Sequence, residues 1–122
     1  MLVVDAANVV GSRPDGWWRD RGKAAANLCR QLIDAVEAGR LEPPVVVVLE
    51  GAARRGVDER EQGGVRVAHA SGSGDDTIAE LVAHGVGDGH HVTVVTADRE
   101  LRDRARQHGG DVLGPSWLLE RI

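Results

Sequence analysis

The sequence predicts a three-layer α/β/α sandwich around a mainly parallel five-stranded sheet, and three observations carry that prediction. Short β-branched runs recur along the chain, stretches with helical spacing alternate with them, and acidic residues stand just after several of the runs. Apolar runs of this length suit strands buried on both faces, and alternation with amphipathic helices implies right-handed crossovers between parallel neighbours.

Taken in order, Leu2 to Val4 is an apolar run cut off by Asp5. Gly11 to Gly22, rich in Gly and Arg, reads as a loop. From Lys23 to Ala38 the residues Leu28, Leu32 and Val36 share one face of a helix. Val45 to Leu49 forms the second strand, and Gly51 to Gly64 reads as a second loop. Val65 to Val67 is the third strand, followed by the Gly72-Ser73-Gly74 turn and a helix carrying Ile78, Leu81 and Val82. Val92 to Val95 leads through Thr96 and Ala97 to Asp98 and a helix with Leu101 and Ala105. Asp111 to Leu113 is the fifth strand, and Pro115 opens a closing helix with Trp117, Leu118 and Ile122.

The chain of 122 residues is read as a single domain spanning 1–122, with no repeat or linker. It has no Phe or Tyr, so Val, Leu, Ile and Ala must build the core. A formal charge of -4 argues against a broadly basic nucleic-acid surface, although carboxylates gathered at one site would dominate that sum. The lone Cys29 excludes an internal disulfide and reads as helix core. The start of the chain lacks a basic leader and a long apolar run, so a cytoplasmic location without membrane contact is expected.

In open parallel sheets, ligands bind beyond the carboxyl ends of the strands. Asp5 and Asp98 fall at that edge, and Asp75 and Asp76 open the helix after the third strand. Taken singly, each helix-start acid has a capping explanation: Ser73 with Asp76 makes a capping box, and Asp98 suits an N-cap. Taken together, clustered carboxylates raise one another's pKa unless a cation neutralises them. Oxygen donors without a Cys or His cluster favour Mg²⁺ or Mn²⁺ over zinc. None of the five histidines has metal-ligand spacing on one element.

Three strings carry a family resemblance: VVDAANVVG from Val3 to Gly11, SGDDTIAEL from Ser73 to Leu81, and VTVVTADRELRDRA from Val92 to Ala105. In this order, spanning nearly the whole chain, they resemble the NYN branch of PIN-like metal-dependent ribonucleases. The resemblance implies a strand order of 3-2-1-4-5 and endonucleolytic cleavage of RNA by metal-activated water. It places the catalytic roles on Asp5, Asn8, Asp75, Asp76 and Asp98, with the four aspartates as metal ligands and Asn8 positioning Asp5 or a water. Glu50 ends the second strand at the same edge and is set aside as peripheral. Thr96 either hydrogen-bonds at the site or simply favours the strand.

For holding RNA, the arginine-rich loops supply Arg13, Arg19, Arg21, Arg54 and Arg55. Trp17 and Trp18 lie in the first loop, where an indole can stack on an unpaired base. Adjacent residues tend to point apart, so one of the pair is expected to pin the loop instead. The expected partner is RNA, with a ribosome or another RNA-containing assembly as a source of specificity. The oligomeric state is left open, a homodimer included. The rival reading is a catalytically silent RNA- or protein-binding module of the same fold. A haloacid-dehalogenase-type site is excluded by Ala7, which stands where a second Asp is required.

Overall fold

The computed structural model describes residues 1–122. The strands are β1 (Leu2–Asp5), β2 (Val45–Leu49), β3 (Arg60–Gln62), β4 (Val65–His69), β5 (Thr93–Val95) and β6 (Asp111–Leu113). The helices are α1 (Ala6–Gly11), α2 (Arg21–Glu37), α3 (Gly74–Gly87), α4 (Arg99–Gln107) and α5 (Pro115–Leu119), with short 3-10 turns at Trp17–Arg19 and Gly51–Gly56. The sheet runs β3-β4-β2-β1-β5-β6, with every pairing parallel except β3 with β4.

The five strands read from the sequence lie in the implied 3-2-1-4-5 order. The sixth, β3, corrects that count. Its residues Arg60, Glu61 and Gln62 are all exposed, so it has no apolar alternation for periodicity to detect. Gly63 and Gly64 both have positive φ, as a two-residue hairpin between β3 and β4 requires. A short, charged edge strand also shields β4 from pairing with other chains.

The two segments read as loops are likewise more ordered. Both contain a 3-10 turn, and the first begins with the end of α1. The α1 helix follows β1 without a linker because Asp5 ends the strand and caps the helix, accepting from the Asn8 N–H at 3.3 Å.

Period-two alternation along β1 splits the core between the two faces of the sheet. Val4 packs with α1, α2 and α5 through Val9, Leu28, Leu32 and Leu118. Val3 packs with α3 and α4 through Ile78, Val82, Leu101 and Ala105. Each such side chain contributes about 1.5 to 3 kcal/mol of burial. The helices therefore cover both faces, leaving the carboxyl edge of the strands open between their ends.

On the α2 side, the backbones of Gly22 and Gly56 touch. A Cβ on Gly56 would lie 1.8 Å from the Gly22 carbonyl oxygen. This contact fastens the start of α2 to the Gly51–Gly56 turn, so the two arginine-bearing segments form one surface. No helix is long and apolar enough to cross a membrane.

Candidate active site

Parallel register fixes which residues share the carboxyl edge. Asp5 stands level with Val48, and Val4 with Val95, so Thr96 comes level with Asp5 and Glu50 lies just beyond it. Asp5 is 7% exposed and Thr96 fully buried, and they are the only buried polar or charged residues. Oδ2 of Asp5 accepts the Thr96 hydroxyl at 2.9 Å, while Oδ1 accepts the Asn8 N–H. The same Thr96 oxygen accepts the Asp98 N–H at 3.1 Å. Oδ1 of Asn8 accepts the Ala97 N–H at 2.8 Å. Asn8 thus ties the turn after β5 to α1, and Thr96 hydrogen-bonds to Asp5 rather than merely extending the strand.

The electrostatics of this edge are adverse. Burial pushes the Asp5 carboxyl up to about 6, against the lowering pull of Thr96 and the Asn8 N–H, and the charges of Asp75 and Glu50 raise it further. The Asp75 carboxyl is also raised, first by burial, then by Asp98 and Glu50, with Arg104 opposing and Asp76 adding a smaller push. Asp5, Glu50, Asp75 and Asp98 are therefore coupled through their charge. Glu50, set aside as peripheral from sequence, is part of this group. Its position directly after β2, beside β1, is the signal that marks it.

Several of these acids also have structural work. Oδ1 of Asp98 caps α4 by accepting the Leu101 N–H at 2.9 Å. Oε2 of Glu50 accepts the Gly74 N–H at 2.7 Å, which holds the start of α3 against the end of β2. Ser73 caps α3 through the Asp75 N–H at 3.2 Å. The Asp76 side chain is 69% exposed and pairs with Arg104 of α4 at 3.0 Å, so its carboxylate is engaged by α4.

The sequence expectation is that the four aspartates share one cation; as the side chains stand, no three His, Cys, Asp or Glu side chains gather in a metal-holding arrangement. The physical reason is on view. Like charges separate when nothing neutralises them, and backbone N–H groups and Arg104 hold individual carboxylates in place. In chemical kind the set still fits a hard divalent ion, being all oxygen and mutually repelling, with a buried carboxylate at its centre. Asp75 and Asp98 lie at the starts of α3 and α4, the Asp75 carboxylate partly exposed and the exposed Asp98 keeping Oδ2 clear of its cap bond.

The arginines divide by partner. Arg13 donates to Oε1 of Gln31 at 2.8 Å on the outer side of α2. Arg54 donates to the carbonyls of Gly51 and Ala70, each at 3.2 Å, and so braces its own turn. Arg21 lies over the Trp17 ring at 5.3 Å and Arg19 over the Trp18 ring at 5.9 Å. Trp17 packs onto the core and pins the loop, whereas Trp18 is 55% exposed, the division expected of adjacent residues. Arg55 and Arg21 share a shallow basic groove with Arg19 and Lys23. Beside Glu50, a cavity of about 340 Å³ opens between α1, α2 and the Gly51–Gly56 turn.

No family model matches the chain, and neither does any curated protein. Among solved structures, the crystal structure of Rae1 (YacP) from Bacillus subtilis superposes with a TM-score of 0.76 at 19% identity, covering 98% of this chain and 71% of that one. A tryptophan-to-leucine variant of the same protein superposes with a TM-score of 0.72 over the same shares and at the same identity. At this identity the likeness establishes a common fold.

Proposed function

We propose that the chain is a metal-dependent endoribonuclease of the NYN branch of PIN-like proteins. The observation that carries this reading is the buried Asp5 carboxylate, held at the carboxyl end of β1 in the field of Asp75 and Glu50. Mutually raised carboxylates at a strand edge are the kind of group found at functional sites, and a cation would relieve their repulsion. Asp5, Asp75 and Asp98, with Glu50 beside them, would hold Mg²⁺ or Mn²⁺. Such an ion lowers the pKa of water and offsets charge developing on a phosphodiester.

The chain's own residues do the positioning. Thr96 and the Asn8 backbone fix the Asp5 oxygens, and the Asn8 side chain holds the turn that leads to Asp98. Arg19, Arg21, Lys23 and Arg55 offer a basic groove for the phosphates on the side of the first loop. With a net charge of -4, long-range attraction to RNA is weak, which suits a nuclease brought to its target by a ribosome or another RNA-containing assembly.

The test is a cleavage assay on structured and unstructured RNA with Mg²⁺, Mn²⁺ or chelator, beside DNA of the same sequence. Metal-dependent cuts within RNA are expected, with loss in Asp5→Asn. The dispersed carboxylates favour one alternative, a silent RNA-binding module of this fold, and RNA retention without cleavage under every metal would establish it.

A further inference from the structure

We infer that the cavity between α1, α2 and the Gly51–Gly56 turn is a subsite for one unpaired nucleobase, preferring bases that carry an amino group over uracil. The choice of a nucleic-acid ligand rests on the nuclease reading, while the subsite itself stands on separate features of the structure. The volume of about 340 Å³ lies within the range of small-ligand sites. Ala7, Val10 and Ala53 line it with apolar surface, and Trp17, packed on the core, adds indole surface with the Arg21 guanidinium over its ring at 5.3 Å. A guanidinium plane laid on an indole above an apolar floor is a surface on which a base packs by its face.

Two residues connect this cavity to its surroundings. Glu50 lines it and belongs to the acidic group around Asp5, so a base lodged there sits next to the proposed point of cleavage. Arg21 lines both the cavity and the neighbouring basic groove of about 470 Å³ that holds Arg19, Lys23 and Arg55. A single strand therefore finds base, phosphate and acid surfaces in sequence along one side of the molecule.

Glu50 also sets the preference. Oε2 takes the Gly74 N–H, and Oε1 engages no donor of the protein. A carboxylate oxygen accepts from the amino groups of adenine, cytosine or guanine. Uracil presents two carbonyl oxygens flanking its one N–H, and these are repelled.

The experiment titrates AMP, CMP, GMP and UMP into the full chain with chelator present, following the Trp indole and Ala methyl resonances by NMR. Saturable shifts confined to Trp17, Ala7 and Ala53 are expected, with UMP binding about tenfold more weakly than the others. Ala7→Leu on α1 and Ala53→Leu on the turn each fill the cavity from a different element. Either is expected to weaken binding about tenfold with the melting temperature held. Shifts that map elsewhere, equal affinity for UMP, or indifference to both substitutions would overturn the inference. Nucleotides bound in the cavity without any RNA cleavage would keep the subsite and remove the nuclease reading; cleavage with the cavity empty of nucleotide would do the reverse.

Discussion

The Thr96 hydroxyl donates to Oδ2 of Asp5 at 2.9 Å, joining the ends of β5 and β1 through two buried groups that lie 91 positions apart. The same oxygen accepts the Asp98 N–H, so one side chain orients both ends of the proposed site. Thr96→Val keeps the shape and removes both bonds. It is expected to lower stability by about 1 to 3 kcal/mol and to raise the Asp5 carboxyl further, since Thr96 is a lowering influence. Urea unfolding and a pH profile of cleavage check it; an unchanged profile would mean that Thr96 does not act through Asp5.

Asp5 gives the metal-free protein a defined pH dependence. Its carboxyl titrates near 6 in the fold against an ordinary value of 3.8, so between those values the folded chain keeps a proton that the unfolded chain has released. Stability from this group is therefore fully present below about pH 3.8 and lost as pH rises through about 6, a loss of about 3 kcal/mol. Asp5→Asn should remove that slope and be the more stable protein at pH 7 while losing cleavage. Parallel stability curves for the two proteins from pH 4 to 7 would contradict it.

Divalent metal should reverse the penalty. At a concentration 100 times the dissociation constant, Mg²⁺ or Mn²⁺ is expected to stabilise the fold by about 2.7 kcal/mol. The effect should fade as pH falls through the Asp5 titration near 6, because proton and cation compete for the same carboxylate. Thermal melts of wild type, Asp5→Asn and Asp98→Asn with metal and with chelator check this. An equal rise in all three would point to metal bound elsewhere.

The paired aspartates at the start of α3 should not be equivalent. Asp75 feels Asp98 and Glu50, whereas Asp76 is mostly exposed and bonded to Arg104. Asp75→Asn is expected to lower kcat on the order of 100-fold, and Asp76→Asn less than about 10-fold. Loss of the exposed ion pair itself costs about 0 to 1 kcal/mol. Equal losses of kcat would show that Asp76 leaves Arg104 when substrate binds.

Two glycines make a stability contrast. Gly56→Ala would drive a Cβ into the Gly22 carbonyl, and it is expected to cost about 3 kcal/mol or more and to part the two arginine-bearing segments. At Gly87 a Cβ would meet nothing within 4 Å, so Gly87→Ala in the last turn of α3 should gain about 0.4 to 1 kcal/mol. Denaturation midpoints for both variants decide the matter.

The strongest signals in the sequence were those with a repeating physical cause. Valine runs that must be buried on both faces located the parallel strands, and helical spacing of Leu28, Leu32, Ile78 and Leu101 located the covering layers. Strand β3 escaped because an exposed edge needs no apolar pattern, leaving Gly63-Gly64 as the only trace of its turn. The helix α1 escaped because Asp5 serves two elements at once, and a strand running straight into a helix leaves no punctuation between them.

The sequence by itself determined the layer order and put acidic residues at the carboxyl edge, since local periodicity and the rule of parallel crossovers suffice for both. Only the tertiary structure decided which acids act on one another. Glu50 enters the group and Asp76 turns toward Arg104 because charge interactions depend on distances across elements, which strand register and helix packing set. The same holds for the cavity beside Glu50, whose walls are drawn from segments as distant as Ala6 and Gly72 and come together only in the fold.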